Sequence, residues 1–279
     1  YVGGLGVGLV CLIFDQHVVG FLVTILAILG SVIFGAIWGI IPGYLQAKRG
    51  SHIVITTIMF NFIAAALMVY LLVNVIIEPG QMSPETRDFA SGVGLVQIHI
   101  LAKYLGLEMA MSPLNLSFIV ALTVSVGFWF LVWRTKFGYE VRSLGHSETA
   151  AIYAGIKVSS TIIIVMAISG GLAGLVAINE LLGVHNKLLL GFTAGYGFTG
   201  IAVALMGRNH PVGIFLASLL FGALYQGGTE LDFEFSSITR EMVLLIQGLI
   251  ILFSGALAYM LNPLVERIYI KYYGNYNNA

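Results

Sequence analysis

The chain has 279 residues, of which 58% are hydrophobic and 9% charged, with a formal net charge of zero and a mean hydropathy of +0.96. Soluble domains carry roughly 25% charged residues, so this composition cannot clothe a water-facing globule and belongs to an integral membrane protein. The neutral balance and the lack of any nucleic-acid motif exclude a nucleic-acid binder, and the one cysteine, Cys11, can form no internal disulfide and reads as a packing residue.

Apolar runs predict an all-α, polytopic helical bundle in a single transmembrane domain over residues 1–279. The first run, 3–14, is too short to cross a bilayer of ~30 Å at ~1.5 Å per residue. It has no basic n-region and no cleavage-like site, so the sequence reads as starting inside a helix. Fuller runs follow at 18–45, 53–77, 114–133, 158–180, 188–207, 211–226 and 241–261, which makes about eight segments. The 211–226 run is short, as expected of a tilted, broken or partly spanning helix.

In the second run Gly35, Gly39 and Gly43 form a double GxxxG ladder, and Gly170, Gly171 and Gly174 form another small-residue face in the 158–180 run. Such faces let helices approach closely, either to pack or to slide. "SVIFGAIWG" from Ser31 is echoed by "SLLFGALYQG" from Ser218, as an inverted repeat would produce. Lys48 and Arg49 close the second run. Placing them inside by the positive-inside rule also puts Arg134, Lys136, Arg142, Lys157, Arg208, Arg267 and Lys271 inside, and leaves Arg87, Lys103, Lys187 and Arg240 outside.

Thr57 and Asn61 share one face of the third run. Each reads either as helix–helix glue or as a hydrogen-bonding position along a solute path. Asn179 carries the same two readings, and Glu180 lies near the outer end of its helix. The long outer connection, 78–113, begins with Pro79 and Gly80. It continues with Leu95, Ile98, Ala102 and Leu105 at helical spacing, as expected of a segment along the membrane surface, either a docking shelf or a covering lid.

The inner connection, 134–157, holds "GHSETAAIYAGIK". Ser147 can cap a short helix whose first turn carries Glu148, and Gly155 can close it. The residues between, Ala150, Ala151, Ile152, Tyr153 and Ala154, give the helix too little apolar face to fold alone. Further on, Gly191, Gly195, Gly197 and Gly200 each weaken a helix by roughly 1 kcal/mol relative to Ala. "GFTAGYGFTG" is therefore expected to hold an unwound or re-entrant portion. It would present Phe192, Tyr196 and Phe198 either to a cavity, where rings can meet a sugar or a base, or to the interfacial aromatic belt. "GRNHP", 207–211, reads as a tight turn.

No phosphate-binding GxxxxGK[ST] loop, HExxH, nucleophile elbow or Cys/His metal cluster is present, so the sequence offers no catalytic and no metal site. The spans are almost free of ionisable residues, which disfavours an ion-coupled pump. A chain that moves a solute without such coupling must draw its energy from another subunit.

Three stretches carry a family resemblance: "AKRGSHIVITTIMFNFIA", "FGYEVRSLGHSETAAIYAGI" and "GYGFTGIAVALMGRNHPVGIFLASLLFGALYQGG". They resemble the membrane subunit of bacterial ABC importers of the simple-sugar and nucleoside type, in the group that includes ribose, galactoside and branched-chain amino-acid permeases. The likeness covers about residues 30–265. It implies a permease of the bacterial cytoplasmic (inner) membrane with no cofactor of its own. Its partners would be an ATPase with two nucleotide-binding domains that binds the ATP, a second permease subunit, and a periplasmic or lipid-anchored substrate-binding protein. It implies that Ser147, Glu148, Ala150, Ala151, Tyr153 and Gly155 form the coupling helix that contacts the ATPase. In place of the Asn-Pro pair of many relatives, this chain has Ser147 and Glu148. Thr57, Asn61, Asn179, Phe192, Tyr196 and Phe198 are the candidates for the translocation path of a nucleoside or simple sugar. The competing reading is a stand-alone secondary transporter or channel for a small polar solute.

Overall fold

A computed structural model describes residues 1–78, 80–90, 92–104, 106, 114–234, 242–243, 245–250 and 252–253. The regular secondary structure among them is helical, with two isolated bridges, Glu85 to Leu189 and Gln97 to Asn115. The chain forms two compact units, Tyr1–Ala194 and Gly195–Ala279.

In the first unit α1 (Val2–Phe14) and α2 (Gly20–Arg49) pair, and α2 lies along α8 (Val158–Gly174). α3 (Ile53–Leu71) continues into a wider π-helical turn, Leu72–Ile76, and α8 leads into a second one, Ile178–His185. α4 (Ile98–Tyr104), α5 (Ser117–Arg134), α6 (Lys136–His146) and α7 (Glu148–Tyr153) complete the unit. The glycine ladders account for the α2–α8 seam. A side chain at Gly35 would collide with the Gly170 carbonyl and one at Gly39 with the Met166 carbonyl, so only hydrogen fits between the two backbones. Ser31 Oγ donates to the Gly174 carbonyl across the same seam. The core gathers where α1, the 178–192 stretch and the end of α3 meet, around Val7, Met68, Leu72, Leu181 and Leu188, and Cys11 packs in it.

Five helical stretches of the described residues are long and apolar enough to cross a membrane: Gly20–Arg49, Ile53–Ile76, Ser117–Arg134, Val158–His185 and Pro211–Glu234. α5 buries none of its residues, so its apolar surface is left for lipid or for other protein. Arg134 and Arg142, near the ends of α5 and α6, stack over Trp129 and Trp133 at 5.5 and 4.7 Å from the ring centroids.

Two sequence expectations change, and one interruption falls where the glycines placed it. In the 188–207 run, 190–195 is a succession of turns and α9 (Tyr196–Met206) starts only afterwards. Gly191 and Gly195 sit there in the left-handed region. The run from Pro211 is neither short nor broken: α10 (Pro211–Glu234) continues through polar residues, where Gln226 Nε2 donates to Glu230 Oε1 at 3.0 Å one turn on. The echo between Ser31 and Ser218 is not an echo of packing, since Gly35 is pressed against α8 while Gly222 faces open space. The 241–261 run lies largely outside the described residues.

In the second unit α9 and α10 form a hairpin around Val203, Ala217 and Phe221. "GRNHP" makes its tight turn with Arg208 and Asn209 at φ 53° and 54°.

Candidate functional site

The first unit has two differently built ends. One joins the Asp15 end of α1, the start of α2 and the 85–97 and 182–190 stretches. Arg87 donates to both carboxylate oxygens of Asp15, at 2.7 and 2.9 Å, and the Ala90 N–H donates to the same group at 3.0 Å. The Arg87 guanidinium, aided by the Ala90 N–H, holds the buried Asp15 carboxyl below its usual range. Lys187 pairs with Glu85 at 3.0 Å, and Thr86 is bonded through its backbone and hydroxyl to Leu188. The 85–97 stretch is thereby stitched onto the helices.

Asn179 belongs to the same kind of bonding. Its Oδ1 accepts from Asn115 Nδ2 at 3.1 Å and Ser117 Oγ at 2.8 Å, and its Nδ2 donates to Glu180 at 3.0 Å. His185 stands 3.9 Å from the other Glu180 oxygen. A π-helical segment spaces these groups differently from an α-helix, which is how the Glu180–His185 pair, five residues apart, comes together.

The other end holds the end of α2, the start of α3, α7 and the start of α8. Ser147 caps α7 as expected, its hydroxyl accepting the Ala150 N–H at 3.3 Å, and Glu148 stands in the first turn. The helix stops at Gly155, whose φ of 78° only glycine adopts freely, while its N–H donates to the Ile152 carbonyl. Ala151 is buried beneath the helix, whereas Ile152 and Tyr153 are 58% and 88% exposed.

Between these ends lies a cavity of about 240 Å³, open on one side and lined by α1, α2, α3, α8 and the turn at Phe192 and Thr193. Thr57 and Asn61 line it, and so does Phe192, which is buried and set edge-on to Tyr1. The Thr57 hydroxyl donates back to the Ile53 and Val54 carbonyls, and Asn61 makes no side-chain hydrogen bond among the described residues. Asn179 is not part of this lining, and Tyr196 and Phe198 belong to the second unit.

Sequence reasoning missed Trp38, Pro42, Phe60 and Ser169 as parts of the wall. Trp38 and Phe60 meet edge to face at 5.6 Å. Pro42 sits inside α2 and has no N–H to give the Trp38 carbonyl four residues earlier. The missing signal was available: Thr57, Phe60, Asn61 and Ala64 fall at i, i+3, i+4 and i+7 on one helical stripe. Among the described residues no charged side chain lines the cavity, so they offer it ring faces and edges with neutral hydrogen-bonding groups.

Residues 2–255 match the family model described as branched-chain amino acid transport system / permease component. The chain belongs to this permease family. It is thus a multi-pass membrane protein and a transport subunit, not an enzyme. It is 35% identical over 246 residues to a guanosine ABC transporter permease protein of Bacillus subtilis, which covers 87% of this chain and 68% of that one. It is 31% identical to a glucose ABC transporter permease protein of Haloferax volcanii, over 82% of this chain and 60% of the other. A nucleoside ABC transporter permease protein of Lactococcus lactis is also 31% identical, over 83% and 63%. The chain thus spans about three-fifths to two-thirds of the length of these relatives. No solved structure matches it.

Proposed function

We propose that this chain is the membrane-spanning permease subunit of a bacterial ABC importer in the cytoplasmic (inner) membrane, and that it translocates a nucleoside or simple sugar by alternating access. In this reading about eight segments span the membrane, with the 190–195 turns as the broken one. The 78–113 connection faces the periplasm, and 134–157 faces the cytoplasm. ATP is bound by a separate ATPase with two nucleotide-binding domains. A second permease subunit and a periplasmic or lipid-anchored binding protein complete the assembly.

The observation that carries the proposal is α7. It is a capped, six-residue helix with Ala151 seated on the bundle and Ile152 and Tyr153 projecting away from it, at the end where Lys48, Arg49 and Lys157 collect. Basic residues gather at cytoplasmic ends, and a projecting apolar pair outside the spans is a contact surface for another protein. α7 is thus the coupling helix, with Ser147, Glu148, Ala150 and Gly155 fixing its shape. The substrate class is supported by the cavity: rings for stacking, Asn61, Ser169 and Thr193 for hydrogen bonds, and no charged side chain among the described residues of its lining. It is supported also by the guanosine, nucleoside and glucose permeases among the relatives.

Reconstitution of the chain with its co-purifying subunits in vesicles tests this, by measuring uptake of radiolabelled nucleosides and pentoses with and without ATP. Uptake should depend on ATP and on the ATPase subunit. Undiminished flux without the ATPase would make the chain a stand-alone carrier or channel instead.

A further inference from the structure

A second depression, of about 870 Å³, opens beside α7. Its walls are the end of α2 with Lys48, the α2–α3 link with Ser51 and His52, Glu148 and Ile152 of α7, and Lys157 at the start of α8. Lys48, His52, Glu148 and Lys157 form no ion pair among the described residues, and Arg49 adjoins them. α3 and α8 both begin at this groove without a side-chain cap, which adds the positive ends of two helix dipoles to the lysines. The Ser51 hydroxyl is buried without a hydrogen-bond partner. One carboxylate, Glu148, faces this concentration of positive potential.

We infer that this groove is a second contact surface for the ATPase subunit, and that it receives an acidic segment of that subunit while Ile152 and Tyr153 enter an apolar cleft beside it. The inference rests on the proposed role of α7 and extends it to the α2–α3 link, which α7 does not include. Basic residues at helix ends follow the general rule for membrane proteins, so charge by itself does not mark the surface. The concavity does, together with its continuity with the exposed Ile152 and Tyr153. A phospholipid headgroup would account for the lysines but would leave Tyr153, 88% exposed, without an apolar partner. Complementary charge across an interface sets register and speeds encounter. The groove would therefore orient the ATPase about α7 and make assembly sensitive to salt.

The purified complex provides the test. A zero-length carbodiimide should join Lys48 or Lys157 to Asp or Glu of the ATPase, with the linked peptides identified by mass spectrometry. The double variant Lys48→Glu/Lys157→Glu should lower ATPase co-purification about tenfold at moderate salt. Lys48→Arg/Lys157→Arg should retain it. Both lysines are exposed, so the substitutions leave the core untouched. Tyr153→Asp serves as the reference for α7. If Tyr153→Asp releases the ATPase but the double Glu variant keeps it with unchanged salt dependence and no crosslinks, the groove is not part of the interface and the reading of α7 stands. If both keep it, the reading of α7 fails as well. Loss of bound anionic lipid from the double Glu variant, with the ATPase retained, would identify the groove as a headgroup site and overturn the inference.

Discussion

The two ends of the first unit use the same scarce charges in opposite ways. At the Asp15 end charged groups meet partners within the chain: Asp15 with Arg87, Glu85 with Lys187, and Glu180 with Asn179. At the α7 end Lys48, Lys157 and Glu148 line a groove without an ion pair among the described residues, and Tyr153 of α7 is left exposed. In a chain with only 9% charged residues, an internal pair serves to close the fold, and a charge left unpaired on a shaped surface is available to another molecule. The contrast makes the Asp15 end a built-in cap and leaves the α7 end, the proposed place of assembly, with charges unpaired among the described residues.

The contrast depends on a stiff connection, because α2 runs from one end to the other with α8 packed along it. The largest effect is therefore expected from Gly39→Leu. The new side chain meets the Met166 carbonyl, which is backbone and cannot turn aside. Overpacking costs about 1–3 kcal/mol where side chains can adjust, and more where they cannot. The folded yield and the apparent melting temperature in detergent should both fall sharply. Gly127→Leu in α5, where nothing lies within 4 Å, should leave both unchanged. Equal behaviour of the two variants would show that the seam is loose.

The next effect concerns the closed end alone. Asp15→Ala removes three short hydrogen bonds and leaves Arg87, 28% exposed, partly able to find water. A loss of about 2 kcal/mol is expected. Because the Asp15 carboxyl is held below its ordinary value of about 3.9, its stabilisation is complete above that pH and disappears as pH falls through the lower folded value. The difference in melting temperature between wild type and Asp15→Asn should be constant near neutrality and close in acid. A gap that stays open at acid pH would locate the stabilisation elsewhere.

How much of this was legible in the sequence differs between the same two ends. Everything local at the α7 end could be read: Ser147 as the cap, Glu148 in the first turn and Gly155 as the stop all follow from spacing within one short segment. The closed end could not be read, because Asp15 and Arg87 lie 72 residues apart and no periodicity links them. The helices were visible as apolar runs, and the glycine ladders foretold a close seam without naming which helix lies across it. The cavity was half visible. Thr57, Asn61 and Phe192 were singled out for their chemistry, whereas Trp38 and Phe60 are ordinary residues of apolar runs until α2 and α3 are set side by side. The length of α10 was misjudged because hydropathy falls after Gln226, although side-chain bonding carries the helix on to Glu234.

A smaller effect is expected between the ends, in the cavity. Asn61→Leu removes a neutral hydrogen-bonding group that has no intramolecular partner among the described residues, so stability should not change. The concentration for half-maximal uptake should rise several-fold, in keeping with a lost hydrogen bond of about 1 kcal/mol. Unchanged uptake kinetics would remove Asn61 from the solute path.

The smallest effect should come from the cap of α7. Ser147→Ala removes one acceptor, and an N-cap contributes typically about 1 kcal/mol; at 3.3 Å this one belongs at the weaker end. The rest of the bundle does not rest on that bond, so stability in detergent should hold while ATP-driven uptake falls by a few-fold as α7 frays. Aspartate and asparagine accept the same N–H, and Ser147→Asp or Ser147→Asn should restore uptake. Should the hydroxyl instead touch the ATPase directly, neither replacement would rescue transport. The open end would then owe its function to a contact at Ser147 itself, and not to the shape that Ser147 gives the helix.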